Sequence, residues 1–219
     1  CTMSATEHEE LISFRAALCE SLFNASALQD VDASVIRSRA LTVGNILTEA
    51  GEVGPTALWD CSLPLIDMIM AQPSLSCSSI ALPLILGAFS NLLAKREEIP
   101  LEVLRNTSLA VEQLLLGCQS NAAIGEAAVT DASSSYIRTY SSLVDQDGLT
   151  GSVFATPLSA FEEFNGDTSA AGVVVQESYL NALQALGFVM FEFSNNPLGA
   201  DVNSSQVVIQ TVLYKSTTS

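Results

Sequence analysis

Basic residues are scarce in this chain. Eight lysines and arginines stand against 24 aspartates and glutamates, and only two of the eight, Lys95 and Lys215, are lysines. A formal net charge of −16 repels phosphate backbones and anionic headgroups, which need clustered cations to release their counterions. Nucleic acid is therefore not an expected partner, whereas a divalent cation or a basic protein stays open. Histidine occurs once, as His8, so a Cys/His zinc site with two imidazole ligands cannot be completed, and a catalytic relay would have His8 as its only imidazole. There is no Gly-x-Ser-x-Gly elbow, no glycine-rich phosphate loop and no CxxC pair. The longest apolar run, Ile80 to Ala94, is interrupted by Pro83, Gly87, Ser90 and Asn91. It falls short of the roughly 20 residues that span a bilayer and reads as a buried helix, so no membrane contact is expected.

What is present is core. Hydrophobic residues make up 48% of 219 and charged residues only 15%, which is the composition of a folded chain forming one large domain or two small ones. A chain of this size buries about 70% of its unfolded surface. The sequence opens at Cys1 without an initiating methionine and reads as a processed product or a piece of a longer protein.

Five cysteines, Cys1, Cys19, Cys61, Cys77 and Cys118, all fall in the first 118 residues. Bridges among them would staple the N-terminal part, and the odd count leaves one to pair elsewhere or stay free; the pairing itself is not legible. Asn24, Asn106 and Asn203 head Asn-x-Ser/Thr sequons, candidate glycosylation sites. Together with few lysines, these features point to an extracellular or cell-surface protein.

The first 145 residues carry helical signals. Ser4…Glu7 and Thr6…Glu9 both match a capping box, followed by Leu11, Phe14, Leu18 and Leu22 at helical spacing. A second helix should start near Asp32 and bury Val35, Ile36, Val43, Ile46 and Leu47 before Gly51. Pro55 and Pro64 bound or kink a third stretch with Leu58, Trp59, Leu65, Ile66, Ile69 and Met70 as core. Ser78 and Ser79 cap the apolar helix that runs to Lys95 and Arg96. Pro100 opens a further helix with the stripe Leu101, Leu104, Val111 and Leu115, closed by Gly117 as a left-handed cap. Short loops predict antiparallel neighbours. No motif recurs at a constant period, although a short helical array remains an alternative.

Residues 133–140 read as helix or edge strand. Asp147-Gly148 is a turn signal, and segments 152–157, 173–177, 189–193 and 207–214 read as strands, with 182–186 a short helix or hairpin loop. The expected fold is α+β: a helical subdomain over 1–145, then a β-rich subdomain over 146–219, read as truncated, forming an antiparallel sheet or partial sandwich.

The Val-Phe-Ala-Thr-Pro157 strand, and Phe191-Glu-Phe-Ser-Asn-Asn-Pro197 followed by Ser205-Gln-Val-Val-Ile-Gln-Thr-Val-Leu-Tyr214, resemble the β-subdomain of GAIN-type domains. Those occur in polycystin-1-like, egg-jelly-receptor-like and adhesion-receptor ectodomains, where helices precede a β-sandwich. The resemblance covers about 60 C-terminal residues; the first 130 share only helicity. Self-cleaving members carry a His-Leu-Ser/Thr tripeptide that these 219 residues lack.

The remaining chemical features have bland readings. His8 among Glu7, Glu9 and Glu10 is a solvated first turn. Asp145-Gln-Asp147-Gly148 begins like a calcium loop, but the twelfth position is Thr156 and the fifth Leu149. Glu97-Glu98 and Glu162-Glu163 face apart and read as solvated charge. No cofactor, metal or catalytic residue is expected. The reading is a non-enzymatic extracellular module serving adhesion, spacing or mechanical coupling in a larger polycystin-like or adhesion-receptor-like protein. Its partners would be neighbouring domains of the same chain or copies in an assembly. The alternative is a secreted subunit of an extracellular filament, sheath or ciliary hair; a cytoplasmic helical scaffold would require all five cysteines reduced.

Overall fold

A computed structural model describes residues 4–49, 52–134, 136–145, 153–158, 160–165, 172–174, 185–193 and 208–215. The predicted turn at Asp147-Gly148, Gly51 and all of 175–184 lie outside them. Six helices come first: α1 (Ala5–Ser26), α2 (Ala33–Leu47), α3 (Pro55–Ala71), α4 (Pro73–Ser76), α5 (Ala81–Leu93) and α6 (Leu101–Ser120). Four strands then form an antiparallel sheet in the order β1 (Val129–Asp131), β2 (Ile137–Asp145), β5 (Ala185–Phe193), β6 (Val208–Lys215). Between β2 and β5 the chain makes β3 (Val153–Ala155), α7 (Ala160–Phe164) and β4 (Gly172–Val174), and β3 and β4 pair as a separate two-stranded sheet. The class is α+β.

Local chemistry sets the helix starts. Ser4 Oγ accepts from Glu7 N at 3.3 Å while Ser4 N donates to Glu7 Oε2 at 2.8 Å, a complete capping box; Thr6 lies inside the helix. Asp32 Oδ1 takes the Ser34 and Val35 amides at 2.7 and 2.8 Å at the head of α2. Pro55 occupies the first turn of α3, where its missing N–H costs nothing. Pro64 sits within α3, which continues through to Ala71. Ser78 Oγ accepts from Ala81 N at the start of α5.

The packing departs from the sequence reading in three places. Helix α1 packs chiefly on α3, and α2 on α5, so the dominant partners are not consecutive helices. Small residues explain the second pair: a Cβ on Gly44 would lie 3.8 Å from that of Ala88, and Asn91 Nδ2 donates to Gly44 O at 3.1 Å. Second, only part of the stripe expected on α1 meets the core: Leu22 packs against it and Leu11 is half-buried, but Phe14 and Leu18 turn outward. Phe14 is 60% and Leu18 38% exposed, whereas Cys19 is fully buried. The buried flank (Ile12, Arg15, Ala16, Cys19) is rotated roughly a quarter turn from the apolar one. Arg15 occupies that flank because it has work there. It pairs with Glu52 at 2.7 Å and donates to the Ile46 carbonyl at the end of α2, where a cation suits the helix dipole.

Third, Gly117 does not cap α6; the helix continues to Ser120. Any Cβ on Gly117 would overlap the backbone of Pro73 and Ser74, so the glycine is there to let α4 cross against α6. Met70 and Leu101, also expected in the core, are 42% and 48% exposed.

In the sheet, residues 137, 139, 141 and 143 of β2 point one way and their neighbours the other. Ile137 and Val189 join the helical core, and Ser141 Oγ donates to Leu115 O of α6 at 3.0 Å. On the opposite face Tyr140 meets Phe154 of β3 edge to face at 6.0 Å. Strand β2 is therefore central, not an edge, with β1 on one side and β5 on the other in unbroken register from Ile137↔Phe193 to Asp145↔Ala185. The expected final hairpin forms, β5 and β6 pairing from Leu186↔Lys215 to Phe193↔Val208. Strands β1 and β2 precede residue 146 and β5 and β6 follow it, so one sheet draws on both proposed subdomains. Gly125, with φ of 79°, makes the turn that lets its N–H reach Leu143 O at 2.9 Å.

Two predictions follow the packing and the caps. Gly117→Ala should cost about 1–3 kcal/mol or more through overpacking. Gly87→Ala, where a Cβ meets nothing within 4 Å, should be neutral or stabilising by up to about 1 kcal/mol; urea unfolding of both variants checks the contrast. The Asp32 carboxyl is held below its usual range by the Ser34 hydroxyl and then by the Val35 and Ser34 amides. Its contribution is complete above the ordinary carboxylate pKa of about 4 and is lost as pH falls through the lower folded value. Melting temperature should drop in that acidic window, and Asp32→Asn, which keeps a cap without a charge, should flatten part of the drop.

Candidate functional site

The cysteines are brought together in two pairs. Cys19 of α1 bonds Cys61 of α3, with Cα atoms 4.7 Å apart. Cys77, just after α4, bonds Cys118 of α6 at a Cα separation of 5.0 Å. Each bridge joins elements that already pack on one another, so each fixes a helix-helix contact and not a loop. Cys1 lies outside the described residues. The bridges indicate an oxidising compartment.

The sequons are differently placed. Asn24 is exposed in the last turn of α1, where Ser26 Oγ donates to Phe23 O at 2.7 Å. Asn106 is half-buried on α6 and is followed by Thr107 and Ser108, which are 1% and 7% exposed. Asn203 lies outside the described residues. Among the other residues singled out, His8 is half-buried in the first turn of α1. Glu7, committed to Ser4 N and then Ser4 Oγ, is held below the usual carboxylate range. Glu98 pairs with Lys95 at 3.0 Å, Glu163 is exposed on α7, and Asp145 ends β2. No group of three or more metal-ligating side chains converges among the described residues.

Sequence reasoning missed two features. One is the last turn of α6, where Gly117, Cys118, Gln119 and Ser120 each engage a different group. The other is Arg39, which the sequence reading did not single out. It is 7% exposed and lines a recess of about 310 Å³ between α1 and α2. Its position on the inward face of α2, next to Ala40 and one turn from Ile36, was the available signal, since a cation among apolar neighbours needs a partner. A second recess of about 280 Å³ lies between α2 and α5, bounded by Gly44, Gly87, Ala88, Asn91 and Ser133.

No protein-family model matches this chain, and no curated protein sequence matches it. Among the described residues no helix is long and apolar enough to cross a membrane.

Each bridge closes a loop of about 40 residues, for which unfolded-chain entropy gives about 4 kcal/mol of stabilisation. Cys19→Ser/Cys61→Ser and Cys77→Ser/Cys118→Ser should each lower the urea midpoint accordingly. Peptide mapping without reductant should recover the two linked pairs and no crossed pairing.

Proposed function

We propose that the chain is a non-enzymatic module of an extracellular or cell-surface protein, serving adhesion, spacing or mechanical coupling. It would belong to a larger polycystin-like or adhesion-receptor-like protein of GAIN type, with neighbouring domains or other copies as partners. The observation that carries this reading is the pair of disulfides, with sequence separations of 42 and 41 residues. They lock four helices against extension in a compartment where thiols oxidise. The order of elements supports the GAIN-type kinship: helices first, an antiparallel sheet last, and a paired β5–β6 hairpin on the residues that carry the resemblance. A His-Leu-Ser/Thr tripeptide is missing from these 219 residues, so self-cleavage by that route would not take place within them.

Secretory expression in cultured cells tests the compartment. The chain should reach the medium, change gel mobility with reductant, and lose a glycan shift in Asn24→Gln. Single-molecule stretching tests the mechanics. At up to about 3.6 Å per residue, the bridged loops should withhold roughly 300 Å of contour length until reductant is added. Mobility unchanged by reductant or glycosidase would overturn the extracellular reading, and equal contour lengths would overturn the mechanical one. Concentration-dependent fibres would favour the filament-subunit alternative.

A further inference from the structure

The facing flanks of α1 and α2 and the turn between them line a solvent-open recess of about 310 Å³, with Leu22, Ala25 and Val35 on its apolar side and Gln29, Ser38 and Arg39 on its polar side. The Arg39 guanidinium makes a hydrogen bond from Nη2 to Gln29 Oε1 at 3.1 Å, a neutral acceptor. Among the described residues no carboxylate forms an ion pair with it. Asp32, two turns earlier on α2, spends Oδ1 on Ser34 N, Val35 N and the Ser34 hydroxyl. Thr42 likewise turns its hydroxyl to the Ser38 backbone carbonyl at 2.8 Å, and Ser38 lines the same wall. A guanidinium offers five N–H donors in a planar fork. A cation removed from water without a counter-charge is destabilised and gains most from an anion that reaches it.

We propose that this recess binds a carboxylate, held in two-point fashion by Arg39, with the carbon chain against Leu22, Ala25 and Val35. The fork matches the two oxygens of a carboxylate in plane. A single cation balances a monoanion, while the net charge of −16 penalises each further negative charge that a phosphate or sulfated sugar would bring. A volume near the lower bound of ligand pockets, about 300 Å³, suits a short free acid or the terminal carboxylate of a peptide.

Calorimetry and NMR titration with pentanoate, pentanamide, and a short valine-terminated peptide in free-acid and amidated forms test the site. Pentanoate or the free-acid peptide should saturate and shift the Arg39 Nε–Hε resonance, while both amides leave it in place. Saturation by pentanoate with no gain from the peptide assigns a small acid, and tighter peptide binding assigns a chain terminus. Arg39→Met should weaken binding about tenfold or more and melt no lower than the parent, because an apolar side chain of similar volume replaces an unpaired buried charge. Arg39→Lys should fall between the two. The proposal fails if no carboxylate binds at millimolar concentration, if amides bind equally, or if Arg39→Met binds as the parent does. Should that variant not fold, the Arg39 resonance of the parent decides alone.

Discussion

The last turn of α6 is where the two kinds of secondary structure are made to fit. Four successive residues there act in four ways. Gly117 admits the backbone of Pro73 and Ser74. Cys118 bonds Cys77, and Gln119 Nε2 donates to Ser142 O of β2 at 2.7 Å. Ser120 Oγ lies 2.8 Å from Ser74 Oγ. Remove the close approach and the disulfide has no geometry to form in; shift the helix and the sheet loses its anchor.

The seam between helices and sheet is polar as well as apolar. Ser141 Oγ reaches Leu115 O, and Ser90 Oγ accepts from Tyr136 N at 3.1 Å just before β2 begins. Buried polar groups satisfied in this way set position, since each bond has one good geometry while apolar contact tolerates sliding. Ile137 and Val189 then supply area on the same face. On the other face Tyr140 meets Phe154 of β3 edge to face.

The contrast between Arg15 and Arg39 shows how burial and charge interact here. Both stem from the flanks by which α1 and α2 face their neighbours. Arg15 has Glu52 and the carbonyls ending α2, so its charge is used to join helices. Arg39 is more deeply covered and has a neutral amide as partner; desolvation lowers its proton affinity from the usual value. One arginine joins helices; the other faces a solvent-open recess with a neutral amide as its partner.

Local signals were legible wherever one residue satisfies its own neighbourhood. The capping box at Ser4, the Asp32 start of α2 and Pro55 at the head of α3 depend on contacts within a few residues, and the β5–β6 hairpin on two β-prone runs either side of a polar, proline-bearing sequence. The α1 face was partly misread because apolar spacing was the only cue, and Arg15, an inward residue, looks polar in sequence. Gly117 was misread for a similar reason: a helix-ending glycine and a helix-crossing glycine are the same letter. Cysteine count and placement were readable, pairing was not, because it depends on which helices lie within about 5–6 Å between Cα atoms. By itself the sequence determined the class, most helix starts, the strands after residue 150 and the acidic, disulfide-bearing character, all properties of residues and their near neighbours; β1 carried no signal and β2 could be read as helix or strand. Tertiary structure alone decided the helix partners, the place of β2 at the sheet's centre, and the isolation of Arg39, because each is a relation between segments far apart in the chain.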